Sequence, residues 1–123
     1  MTSFFPGRAA VDAYGGGGFR FAGMSHRGSL LLLPSGIYAW PVSDASGLTP
    51  ASLEPARREA DAIDLLILGT GAAMVRPAPE LVKVFAGAGV QLDCMATPVA
   101  ISTYNLLLAE KRRVAAGLIA VPA

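Results

Sequence analysis

One histidine, one cysteine and a Gly-Thr-Gly turn are the places where this chain could begin any chemistry. His26 has no Cys, Asp or Glu at ligand spacing, so it reads as a surface or hairpin-loop histidine rather than a metal ligand or general base. Cys94 sits between Asp93 and Met95 in an apolar stretch, where a buried thiol behaves as a small hydrophobe. A structural zinc site takes about four ligands; one Cys and one His cannot supply them. No Gly-x-Ser-x-Gly elbow offers a hydrolase nucleophile. The nine acidic residues are scattered at helix starts and loop edges, where solvation accounts for them. The reading therefore assigns no catalytic residue, no metal and no cofactor, and expects a protein that is not an enzyme.

Gly69-Thr70-Gly71 follows a run of buried type, which is where a dinucleotide fingerprint starts. The third small residue of that fingerprint falls at Met74, too large for close helix–strand packing. Prolines at 77 and 79 also delay the next helix. A tight turn, where glycine fits the backbone, is the structural reading.

These residues need a scaffold. Val11 to Val42 reads as strands and turns: Val11–Tyr14 and Phe19–Ala22 about the Gly15–Gly18 run, then Gly28–Leu33 and Ile37–Trp40 about Pro34-Ser35-Gly36. The second half alternates. A helix over Ser52–Ala62 leads to a strand over Asp64–Leu68, and a helix opened by Pro77 and Pro79 closes at Gly87 and Gly89. A strand over Val90–Met95 precedes a helix with Thr97 as N-cap and Pro98 as first helical residue, and a last strand covers Ala115–Val121. Alternation of this kind predicts right-handed crossovers and parallel strands in one α/β domain spanning residues 1–123.

Parallel strands ending at Leu68 and Met95 would set Gly69, Thr70 and Gly71 opposite Thr97, at the end of the sheet where ligands gather. Backbone N–H groups and the positive helix end there suit a small anion, so this crevice carries the alternative reading, a small-molecule or anion-binding protein or a minor enzyme. On the helix from Pro98, Ala100, Ile101, Tyr104, Leu107 and Leu108 form one apolar face for the sheet. Asn105 belongs to a narrow strip beside them and is a further ligand candidate. Val99 and Leu106 point away from the core face. A helix covering a single sheet has no use for that second patch, so it is expected to touch another element or another chain. Tyr38 and Trp40, aromatics on a short hairpin strand, complete the candidate interface.

Composition agrees with contact work. Fifty-three per cent of the residues are hydrophobic and 15% charged, which argues against disorder and suggests apolar surface covered by a partner or a second copy. Ten basic residues nearly balance nine acidic ones, so no nucleic-acid footprint stands out. The apolar runs fall far short of the ~20 residues of a bilayer span. Nothing at Met1–Pro6 reads as a secretory signal, and the lone cysteine fits a reducing compartment, so the expected location is the cytoplasm.

Three segments are familiar together: Gly28-Ser29-Leu30-Leu31-Leu32 with Trp40, Leu68-Gly69-Thr70-Gly71, and Met95-Ala96-Thr97-Pro98 continued by Ala100, Thr103, Tyr104, Asn105, Leu107, Glu110 and Arg112. From about Val11 to Ile119 the chain resembles a family of small, mostly uncharacterised domains. That family includes the mitochondrial complex I assembly factor three and the adipogenesis-associated domain proteins. The resemblance implies a three-layer α/β fold with a central mixed sheet, helices on one face and a small β element on the other. It also implies assembly work through protein contacts and no established enzyme activity. Two positions depart from the pattern: Ala96 stands where relatives often carry Asp, and Lys111 where they often carry Gly, which puts the usual helix-ending turn in question.

Overall fold

In the run Ser29–Leu33 every residue is buried, although successive side chains of a strand leave the sheet on opposite faces. That run can only lie in a sheet covered on both sides. The computed structural model describes residues 3–122. Its strands are β1 (Phe5–Pro6), β2 (Val11–Gly15), β3 (Gly18–Phe21), β4 (Met24–Arg27), β5 (Ser29–Leu33), β6 (Gly36–Trp40), β7 (Leu65–Gly69), β8 (Gln91–Met95) and β9 (Val114–Leu118). Its helices are α1 (Glu54–Arg58), α2 (Pro79–Gly87) and α3 (Thr97–Ala109).

Six strands form the central sheet in the order β1-β6-β5-β9-β7-β8, and β2-β3-β4 form a second, small sheet. The central sheet is mixed. Strand β7 runs parallel to both β8 and β9, whereas β5 is antiparallel to β6 and β9. Strand parity sorts the core into two halves. Leu31 and Leu33 join Trp40, Leu53, Ala56 and Phe85 on the side of α1 and α2. Leu30 and Leu32 join Phe19, Phe21, Ile101 and Tyr104 beneath the small sheet and α3. The three-layer α/β fold with a central mixed sheet is thus present, with α3 lying beside the small sheet.

Local chemistry explains the turns. The β2–β3 hairpin closes through Gly16 (φ 60°) and Gly17 (φ 77°), and positive φ at both centres is the tight-hairpin geometry whose twist matches the strands. The β3–β4 hairpin uses the same geometry with Ala22 at φ 49° before Gly23. Two strands escaped the sequence reading, β1 and β4. The first is two residues long. The second, Met-Ser-His-Arg, has no apolar alternation.

The helix expected over Ser52–Ala62 is shorter, α1 giving way to a 3-10 turn at Ala60–Ala62. Helix α3 begins one residue earlier than expected: Ala96 is its N-cap, and Thr97 makes no capping bond. The doubtful turn at Lys111 does form. Lys111 takes φ 60°, and the N–H groups of Lys111 and Arg112 donate to Leu108 O (2.9 Å) and Leu107 O (3.0 Å). That is the glycine-favouring helix ending with a lysine in its left-handed position. No helix among the described residues is long and apolar enough to cross a membrane.

Candidate functional site

Strands β7 and β8 are parallel neighbours, with Leu68 opposite Cys94 and Gly69 opposite Met95. This register brings Gly69–Gly71 against Thr97, as the crossover argument predicts. A Cβ on Gly69 would come within 2.9 Å of Thr97 Oγ1 and 3.0 Å of its Cα, so only glycine allows the approach.

What the approach builds is a clasp. The Thr97 hydroxyl donates to Ile119 O (2.7 Å) and accepts from Gly71 N–H (2.9 Å). Thr97 N–H donates to Gly71 O (2.8 Å), and Thr70 N–H to Met95 O (2.9 Å). The Thr70 hydroxyl donates to Ala73 O (2.7 Å) and accepts from Val75 N–H (3.0 Å). The N–H groups of Thr70, Gly71 and Thr97, proposed as anion donors, are therefore engaged with protein acceptors. No titratable side chain takes part in these bonds. The crevice is a structural fastening between β7, α3 and the end of β9.

Asn105 is engaged as well. Its side-chain carbonyl accepts from Val11 N–H (2.9 Å) and its amide donates to Val11 O (2.8 Å), tying α3 to the first residue of β2. Both functions of the amide serve one backbone position, so a ligand-facing role does not follow. Trp40 is not a surface anchor either: it is 4% exposed in the core beneath α1 and α2, and its indole N–H donates to Ser52 O (2.9 Å). Half-buried Tyr38 packs on the same cluster, its hydroxyl hydrogen-bonded to Ser35 Oγ.

Val99 and Leu106 behave otherwise. They are 55% and 60% exposed on the outward side of α3. Met74 and Val75, in the loop after β7, are exposed too. The bond from Thr97 N–H to Gly71 O sets that loop at the same end of the sheet as the first turn of α3. Sequence reasoning missed Met74 and Val75 as surface residues, although two prolines downstream had already marked their segment as a loop.

The His26 ring packs against exposed Phe4, with centroids 4.7 Å apart and the planes tilted by 40°. Cys94 is a half-buried free thiol; burial, and then the charge of Asp93, push its pKa up to about 11. At neutral pH it is protonated and a poor nucleophile. Among the described residues no three His, Cys, Asp or Glu side chains converge as metal ligands.

Comparison with known proteins gives the wider setting. A family model described as "Protein of unknown function (DUF498/DUF598)" matches residues 11–119. An uncharacterised protein of Rhodobacter capsulatus is 36% identical over 118 residues, covering 96% of this chain and 90% of its own length. The NADH dehydrogenase [ubiquinone] 1 alpha subcomplex assembly factor 3 of Danio rerio is 34% identical over 92% of this chain, which spans 65% of that protein. The crystal structure of an outer membrane protein from Bartonella henselae superposes with a TM-score of 0.91 at 46% identity, over 95% of this chain and 98% of that one.

Proposed function

The chain belongs to the DUF498/DUF598 family of unknown function, and from that premise we propose that it is a non-catalytic protein-interaction module that helps to assemble a larger complex. The observation that carries this reading is the outward face of α3, where Val99 and Leu106 stand more than half exposed on a helix whose other side is already buried. Burying a side chain of that size from full exposure is worth about 1.5–3 kcal/mol, so covering the exposed half of each is worth about 1 kcal/mol, and a surface on another chain supplies that gain. The relatives named as assembly factors point to the same kind of work. A lone free cysteine suits a reducing, cytoplasmic setting.

The test is recovery of partners on the tagged full chain from its native cell, set against Leu106→Glu and Val99→Glu. Both variants should keep the wild-type melting temperature and lose a specific partner by tenfold or more. Equal recovery of the same partner by both variants would remove the α3 face from the proposal. A chain that stays monomeric and recovers no partner would overturn it.

A further inference from the structure

Strand β8 ends the central sheet, and among the described residues no strand pairs with its outer side. Its ladder to β7 runs from Gln91 N–H on Asp64 O (3.0 Å) to Thr70 N–H on Met95 O (2.9 Å). In a parallel ladder alternate residues bond to the same neighbour. Gln91, Asp93 and Met95 therefore turn towards β7, while Leu92 and Cys94 aim both N–H and C=O out of the sheet. Proteins usually blunt such edges with proline, lysine or a bulge. From Val90 to Ala96 this chain has none of the first two, and the β7–β8 register runs without a shift.

The two sides of the edge differ in chemistry. Leu92 and Cys94 pack towards the α2 face, beside a groove of about 390 Å³ lined by Val82, Ala86, Gly89 and Val90. Asp93 and Met95 lie on the α3 face. Asp93 is half-exposed, and among the described residues no Lys or Arg pairs with it.

We propose that the β8 edge receives an extended segment of a different protein as a seventh strand, with a Lys or Arg opposite Asp93 and apolar residues on either side of it. This rests on the interaction reading above and adds a second contact to the one on the α3 face. Alternation in the added strand puts the basic side chain on the α3 face at Asp93. Its two neighbours then fall on the α2 face, at the apolar groove. A second copy of this chain fits badly. The antiparallel two-fold register that uses all four free groups pairs Leu92 with Cys94 of the other copy, and so sets Asp93 directly against its own equivalent. Like charges directly opposite one another destabilise a strand pair.

The experiment is an amide-resonance titration of the isotope-labelled full chain with two capped heptapeptides, Ser-Thr-Val-Lys-Val-Thr-Ser and its glutamate-centred counterpart. The lysine peptide should move the Leu92 and Cys94 amides and bind about fivefold tighter than the glutamate peptide, as one favourable charge pair replaces one unfavourable pair. Asp93→Lys should invert the order without altering the fold. Cys94→Pro, which removes an outward N–H and leaves the ladder to β7 intact, should abolish both titrations. Shifts centred elsewhere, no shifts, or equal affinities for the two peptides would overturn the proposal. So would protection of the Leu92 and Cys94 amides that grows with protein concentration, since a second copy would then be the occupant. All of these leave the interaction reading in place if Leu106→Glu still loses its partner.

Discussion

Thr97 shows how a residue can be found for the wrong reason. A threonine before a proline at a helix start reads as a cap beside an anion site, yet its hydroxyl bridges Gly71 N–H and Ile119 O while fully buried. The partner that decides its role lies 22 residues away in sequence, beyond any local pattern. Thr97→Val keeps the shape and leaves both backbone groups without a partner, at a cost of about 1–3 kcal/mol. The urea midpoint should fall at unchanged slope, and Thr97→Ser should recover most of it. Cys94 yields a prediction with a pH sign. Its raised pKa means that the thiolate is scarce at neutrality and gains population as the pH climbs towards about 11. Alkylation by iodoacetamide should be slow at pH 8 and accelerate across that range. Asp93→Asn should shift the profile to lower pH, since the neighbouring charge is the second cause of the rise. Fast labelling at neutral pH, or turnover abolished by Cys94→Ala or His26→Ala, would contradict a non-catalytic chain.

At the scale of elements, strands with apolar runs and helices with proline starts were legible, because their signals are local. Leu30 to Leu33 declared a doubly covered strand, and the Gly15–Gly18 run declared its turn. Strand β4 was not legible: Ser25 and Arg27 face solvent, and the only mark of the strand is the Ala-Gly hairpin before it. Nor was the edge position of β8, since strand order is set by pairings between distant segments. Asn105 illustrates how such pairings are fastened. One side chain on α3 satisfies both backbone groups of Val11, at the point where the small sheet meets the helix. Asn105→Ala strips that fastening, so about 1–3 kcal/mol should be lost. The loss should be local in character, with amide exchange accelerating in β2–β4 well before β7 and β9. Uniform acceleration across both sheets would mean that the bond acts on global stability alone.

For the whole molecule, much of the apolar richness that suggested a covered surface is absorbed by a sheet buried on both faces. The apolar surface left for a partner consists of a few large side chains, Val99 and Leu106 foremost. The two core halves share the same strands, because odd and even positions of β5 feed opposite sides. Neither half can melt without uncovering the backs of residues that serve the other, so the chain should unfold as one unit. It carries its own probes for this: the single tryptophan, Trp40, reports on the α1 and α2 side, and the single histidine, His26, sits in the small sheet on the other side. Tryptophan fluorescence and the His26 ring resonance, followed through one urea titration, should give the same midpoint and slope. In Asn105→Ala the histidine signal should move first, because the small sheet then keeps its apolar contacts but loses its polar fastening to α3. A histidine transition that already precedes the tryptophan transition in the wild-type chain would show that the small sheet is an independently melting layer, and that shared strands do not couple the two faces.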